Sequence, residues 1–465
     1  MQIKSLVILL LPFLMLIFCV CNQPKESAMK FSGVPGEVKL ITVDPGHFHT
    51  GLVQKVVYPQ VDSTAYVYAP KGPDVADHLN RVNSYNTRAE NPTNWNEKVY
   101  LGDDFLEKML EEKPGNVVVL AGKNQKKMDY IQAAVDAGLN VLADKPMCLN
   151  KAEFNRLKSV FDSAEKNDVL LYDIMTERYE ITTILQKVLA NNPAVFGELI
   201  AGTPEKPAVT KESVHHFFKY VSGAPIKRPA WFFDVEQQGE GIVDVTTHLV
   251  DLIQWECFPE QVIDYKSDIE MLEANRWPTL LDLNQFAKVT RLTEYPEYLK
   301  KILNKDNLLE VFANGDMIYK IKGIHAKVSV IWNFEAPEGT GDTHFSIMRG
   351  TKAGIAIKQG KEQNFKPELY VLVPEPGNQK EVEDALEIAI SGLQTDYPGL
   401  AVKAVTDGWQ ILIPDEFRNG HEAHFGQVTE KYLQFLIDGK LPDWEVPNMI
   451  AKYFTTTEAL EKATH

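Results

Sequence analysis

Asn140-Val141-Leu142-Ala143-Asp144-Lys145-Pro146 runs from a short apolar stretch into an acid, a base and a proline. An apolar run of that length suits a strand buried on both faces of a parallel sheet. Lys145 then stands at the strand's carboxyl end, where open α/β sheets bind ligands. Further along, Asp244-Val245-Thr246-Thr247-His248 sets a carboxylate and an imidazole four residues apart. On one helix face that spacing brings Asp244 close enough to orient the ring of His248. A lysine at a strand end and an oriented histidine point to redox chemistry on an alcohol.

Outward from this stretch, Glu37 to Phe196 alternates β-rich runs with helical ones. The pattern predicts strands at Val38–Val43, Thr64–Tyr68, Asn116–Leu120, Asn140–Ala143 and Val169–Asp173. Helices are predicted at Thr50–Val57, Val75–Val82, Phe105–Glu112, Lys126–Ala137 and Ala152–Lys166, with Gly138 as a C-terminal stop and Asn150 as an N-cap. Arg88–Glu97 lacks periodicity and reads as an insertion loop. This is the signature of a doubly wound, Rossmann-type parallel sheet over 37–196.

From 197 to 465 the pattern becomes that of an α+β domain on a mostly antiparallel open sheet. A helix near Gly241–Trp255 precedes strands at Met317–Ile324, Ala326–Phe334, His344–Met348, Ile355–Gln359, Leu369–Val373 and Trp409–Ile413. Helices are expected at Glu381–Leu393, Gln427–Ile437 and Pro447–Ala463.

Residues 1–21 read as a targeting segment: Lys4, an apolar run Leu6–Phe18, and Cys21-Asn22-Gln23, which looks like a bacterial lipoprotein cleavage site. Lipidated Cys21 anchors the chain to a membrane on the periplasmic side, and residues 22–36 form a tether. Cys148 and Cys257 are then too few for a disulfide framework and are expected as buried free thiols. A formal net charge of −16 with no basic cluster argues against a nucleic-acid partner.

After the first strand, Asp44-Pro45-Gly46-His47-Phe48-His49 occupies the place of the G-x-G-x-x-G turn, with Gly46 alone in register. Tyr68-Ala69-Pro70-Lys71-Gly72-Pro73-Asp74 lacks a carboxylate at the second strand's end, which leaves NAD and NADP both open. A doubly wound domain that has lost its cofactor is the alternative. His47 and His49 have the spacing of a metal-ligand pair, but no third ligand is spaced to complete a set, so no metal is expected.

The strand–Gly46 turn, Ala143-Asp144-Lys145-Pro146 and Asp244-x-x-x-His248-x-x-Asp251 together resemble the glucose–fructose oxidoreductase, inositol dehydrogenase and rhizopine-catabolism family. The resemblance makes Lys145, Asp244 and His248 the catalytic set. It places Gly46, Asn124, Asp144 and Lys145 against a nicotinamide dinucleotide, NAD or NADP, while His47 and His49, by their position just after Gly46, could line the cofactor's phosphates or reach the active cleft. The last segment, Gly420 to Phe425 and Asn448 to Thr456, looks like the oxidoreductase C-terminal domain of Bacteroidetes members.

Arg178, beyond the strand ending at Asp173, is expected in the cleft, and Trp231 could stack on a sugar face. His215 and His216 have no assigned role, and His421 and His424 could enter the cleft from the second domain, with helix capping and surface packing as the default. The expectation is a lipid-tethered oxidoreductase of a carbohydrate or polyol, with a tightly held cofactor and homo-oligomeric like its relatives. A redox-neutral glycosidase or lyase that recycles its cofactor and a non-catalytic sugar-binding lipoprotein are the rival readings.

Overall fold

The computed structural model describes residues 31–221, 224–374 and 378–465. The signal segment, Cys21 and most of the expected tether lie outside them. Residues 31–36 pack on the fold: Phe31 is buried in the core, and the Ser32 N–H donates to the Glu37 carboxylate. No helix among the described residues is long and apolar enough to cross a membrane.

The first sheet contains β1 (Leu40–Val43), β2 (Thr64–Ala69), β3 (Asn96–Leu101), β4 (Val117–Leu120), β5 (Asn140–Asp144) and β6 (Leu171–Ile174). All neighbours are parallel in the order β3-β2-β1-β4-β5-β6, so the winding reverses between β1 and β4. That switch point opens a crevice at the strands' carboxyl ends. β5 is buried at every residue, as its apolar run predicts. Asn150 caps the helix Lys151–Asn167 by accepting from the Glu153 N–H, and Gly138 takes a φ of +77° just past the preceding helix.

The loop predicted over Arg88–Glu97 runs through Trp95, and β3, which starts at Asn96, is a strand the pattern does not predict. It is an edge strand with no buried residue, so it carries no apolar run to betray it.

The second sheet follows β7 (Val209–Phe218) and a two-residue hairpin, β8 (Tyr220–Val221) with β9 (Ala224–Pro225). The remaining strands are β10 (Ile269–Leu281), β11 (Leu309–Ile321), β12 (Ile324–Glu335), β13 (Thr343–Arg349), β14 (Gly354–Lys358), β15 (Glu368–Leu372), β16 (Ala401–Val405) and β17 (Gly408–Leu412). The order is β10-β11-β12-β7-β13-β14-β15-β17-β16, antiparallel except where β12 meets β7.

β7, β10 and β16 escape the sequence pattern. β7 hides its centrality behind polar residues, chiefly Lys211, which is fully buried against Glu256. β10 and β16 are largely exposed.

Helices Gly241–Asp244 and Thr246–Cys257 pack beneath this sheet so closely that a Cβ on Gly241 would lie 1.7 Å from the Ala313 carbonyl oxygen. The final helices, His421–Asp438 and Glu445–Thr464, turn back onto the first sheet. Phe425, Val428, Tyr432 and Leu433 share its core with β1, β5 and β6.

His78, in the helix Pro73–Thr87, is 5 % exposed and has no partner on either ring nitrogen. Burial lowers its pKa to about 4. Below the unfolded value of about 6.5 the unfolded chain therefore binds a proton that the folded chain refuses, and stability falls as pH drops toward 4. His78→Leu should lose less of its denaturation midpoint than the parent between pH 7 and pH 5; equal losses would remove His78 as the cause.

Candidate active site

The turn after β1 is shaped by three residues. Asp44 adopts a left-handed φ of +44°, which Asp tolerates better than most side chains. Gly122, just beyond β4, lies so near that a Cβ there would sit 2.4 Å from the Asp44 carbonyl oxygen, so the two turns touch only because it is glycine. The N–H groups of Gly46 and His47 both donate to the Ala121 carbonyl, at 3.2 Å each. Across the turn lies the Trp231 ring, 3.4 Å from where a Gly46 Cβ would stand.

At the end of β5 the Lys145 ammonium meets Oδ1 of Asp244 at 2.6 Å, joining the two halves of the molecule. The other Asp244 oxygen accepts from the Gln238 amide at 3.0 Å, and the Gln238 carbonyl accepts from Asn124. The expected Asp244–His248 pairing is thereby corrected. The helix is interrupted at Val245, Asp244 spends its oxygens on Lys145 and Gln238, and His248 Nδ1 is buried without a partner. Burial, reinforced by the nearby Lys145 charge, lowers the His248 pKa to about 4, so the ring is neutral at physiological pH.

His47 and His49 stand edge to face, ring centroids 4.0 Å apart, and Asp144 reaches them from β5. His49 Nδ1 is 2.8 Å from Asp144 Oδ2, and His47 Nδ1 is 3.9 Å from the same oxygen. His49 Nε2 lies 3.2 Å from Nε2 of His421, whose Nδ1 is 3.7 Å from Glu177. Burial opposes ionisation of Glu177, but His421 and His248 outweigh it and hold the carboxyl well below its usual range.

His421 is thus part of the site rather than a surface cap. It arrives because the C-terminal helices fold back, which no local pattern signals. His215 and His216 both approach Asp342, with Lys219 on the same carboxylate, at the end of β7.

Two expected substrate residues are placed elsewhere. Arg178 is buried in a bidentate pair with Asp251 and a further pair with Glu445, so each of its guanidinium nitrogens is engaged within the protein. Lys452 joins the same network by contacting Asp251 and Asp173, each at 2.8 Å. Trp231 is 5 % exposed in the aromatic core and faces the β1 turn, so it presents no open face to a sugar. Cys148 is a buried free thiol as expected, whereas Cys257 is free but only half-buried. Removing Asp251 would leave two buried cations each with one carboxylate fewer, so Asp251→Ala should cost about 3–5 kcal/mol in a chemical denaturation curve; a loss under about 1 kcal/mol would show the network to be dispensable.

Residues 185–464 match a family described as "Putative oxidoreductase C terminal domain", and residues 70–173 match "Oxidoreductase family, NAD-binding Rossmann fold". A crystal structure of a "putative oxidoreductase" from Parabacteroides merdae is 58 % identical, covers 94 % of this chain and 99 % of its own, and superposes with a TM-score of 0.92. More distant is one from Thermotoga maritima, at 14 % identity over 92 % of this chain and 98 % of the other, with a TM-score of 0.58. A levoglucosan dehydrogenase in complex with NADH shares the fold at 11 % identity over 92 % and 97 %, also with a TM-score of 0.58. Comparison with curated proteins returns no match. The chain belongs to the NAD-binding oxidoreductase family of glucose–fructose oxidoreductase and inositol dehydrogenase type, in the branch that carries this C-terminal domain.

Proposed function

We propose that the protein is a nicotinamide-dinucleotide-dependent dehydrogenase of a carbohydrate or polyol hydroxyl. The observation that carries this reading is the 2.6 Å contact of Lys145 with Asp244 at the carboxyl edge of β5, within electrostatic reach of a half-buried, neutral His248.

The crevice fits the dinucleotide. Trp231 Nε1 is a buried donor with no partner, beside the Gly46 turn at the switch point of the sheet. Gly46, Trp231, Asn124 and Lys145 would hold the cofactor, which supplies the hydride acceptor. The chain's own residues supply the proton chemistry. A carbinol oxygen must shed its proton as its C–H bond breaks, and neutral His248 accepts it. The Lys145 ammonium stabilises the negative charge that grows on that oxygen, and Asp244 fixes the position of the ammonium.

The support for the substrate class comes from relatives in fold. Neighbours in fold include a levoglucosan dehydrogenase complexed with NADH and levoglucosan, and KijD10, a 3-ketoreductase complexed with NADP and TDP-benzene. The lipoprotein-like start of the sequence supports an exported, membrane-tethered enzyme whose cofactor stays bound through turnover.

Lys145→Ala and His248→Ala should each lower kcat by about 10²–10⁴-fold on the sugar substrate while the dinucleotide still binds in a fluorescence titration. Full activity in both variants would overturn the assignment. With His248 as base, kcat/KM should rise with pH to a plateau reached above its pKa of about 4. His248→Gln should erase that acid limb.

A further inference from the structure

We propose that His47, His49 and Asp144 form a binding site for a divalent first-row transition-metal ion at the carboxyl edge of the parallel sheet. The proposal goes beyond the dehydrogenase reading and does not depend on it.

The three groups come from strands that are not neighbours. His47 and His49 belong to the turn after β1, and Asp144 ends β5, with β4 between them. They converge because Gly122, at the end of β4, lets the β1 turn lie directly over it. One ligand atom from each residue falls within a mutual separation of 4.8 Å. Ligands of a tetrahedral zinc ion stand about 3.3 Å apart, as Zn–N bonds of about 2.05 Å require. The set is therefore preformed to within small side-chain rotations.

Its chemistry is equally suited. Two imidazoles and one carboxylate are the donor set of zinc, iron, cobalt and nickel sites that keep open positions. Burial, aided at His47 by the nearby His49 and at His49 by His421, favours the neutral form of both rings that coordinates a metal. Burial also opposes ionisation of Asp144, but His49 and Lys127 outweigh it and hold the carboxyl well below the usual range.

The surroundings orient the ligands. The Lys127 ammonium donates to the Asp144 backbone carbonyl at 2.8 Å. His421 stands behind His49, with Glu177 behind His421. A ligating histidine needs such a partner on its second nitrogen. The geometry therefore makes His49 Nδ1 the ligand atom, its Nε2–H donating to His421. Without an ion, the 2.8 Å contact between His49 Nδ1 and Asp144 holds the ring proton where the metal would sit, and coordination at Nδ1 moves that proton to Nε2. The ion would also supply positive charge at a turn whose own N–H groups are spent on Ala121.

The test is titration of full-length, chelator-stripped protein with Co²⁺ and Zn²⁺, followed by calorimetry and visible absorption. The expected result is one ion per chain and cobalt ligand-field bands. His47→Gln, at a partly exposed position, should weaken binding by more than about 100-fold, and His421→Gln by about 10- to 100-fold through loss of orientation. Asp144→Asn should abolish the cobalt bands while circular dichroism remains native. Failure of the parent protein to bind either ion, or parent-like affinity in His47→Gln, would overturn the proposal. Should Asp144→Asn not fold, His47→Gln alone decides. A parallel dinucleotide titration of the stripped protein reports on the dehydrogenase reading separately.

Discussion

Everything at the cleft is referenced to a buried lattice of charge centred on Asp251. Its carboxylate takes both Arg178 and Lys452, which in turn contact Glu445 and Asp173, while the Tyr453 hydroxyl donates to Asp173. Two cations face three carboxylates there. Burial, the leading influence on Glu445, raises its pKa, so Glu445 is the acid that most readily keeps a proton in this lattice. Such groups desolvate at a cost of several kcal/mol each and are tolerated only because each is met by a partner. The lattice ties β6, the helix that carries His248 and the last helix of the chain into one piece. It thereby fixes the cleft wall opposite Lys145.

The site is assembled from distant segments. The β1 turn gives His47 and His49, β5 leads to Asp144 and Lys145, the segment after β6 gives Glu177, the interrupted helix gives Asp244 and His248, and the penultimate helix gives His421. Each group alone is ordinary. Together they place an ammonium, three carboxylates and several imidazoles around one opening in a low-dielectric setting, where charge–charge effects are strong. That neighbourhood keeps His248 neutral and Asp144 charged at the same pH.

Much of this was legible in the sequence, for physical reasons. β1, β2, β4, β5 and β6 announce themselves because strands covered on both faces must be apolar. The edge strand β3 and the exposed β10 and β16 lack that pressure and carry no such signature. Lys145 was readable from its place after a buried strand. Asp244 was readable as a site residue, but its partner was not, since the break at Val245 turns it from His248 toward Lys145. Arg178 shows the limit most clearly: the sequence displays a charge near the right strand end, while its partners Asp251 and Glu445 lie 73 and 267 residues away. Asp144 likewise meets His49 across 95 residues, so the third member of that cluster has no local spacing to give it away.

The return of the last two helices onto the first sheet gives the chain a direction of assembly. During synthesis the parallel sheet emerges first, yet Asp173, Arg178 and Asp251 wait for Lys452 and Glu445, and His49 waits for His421. The nascent first half thus leaves the ribosome with unmatched charges where its interior should be. Closure arrives only with residues 421–464, so the groups that complete the cleft are delivered after both sheets are in place.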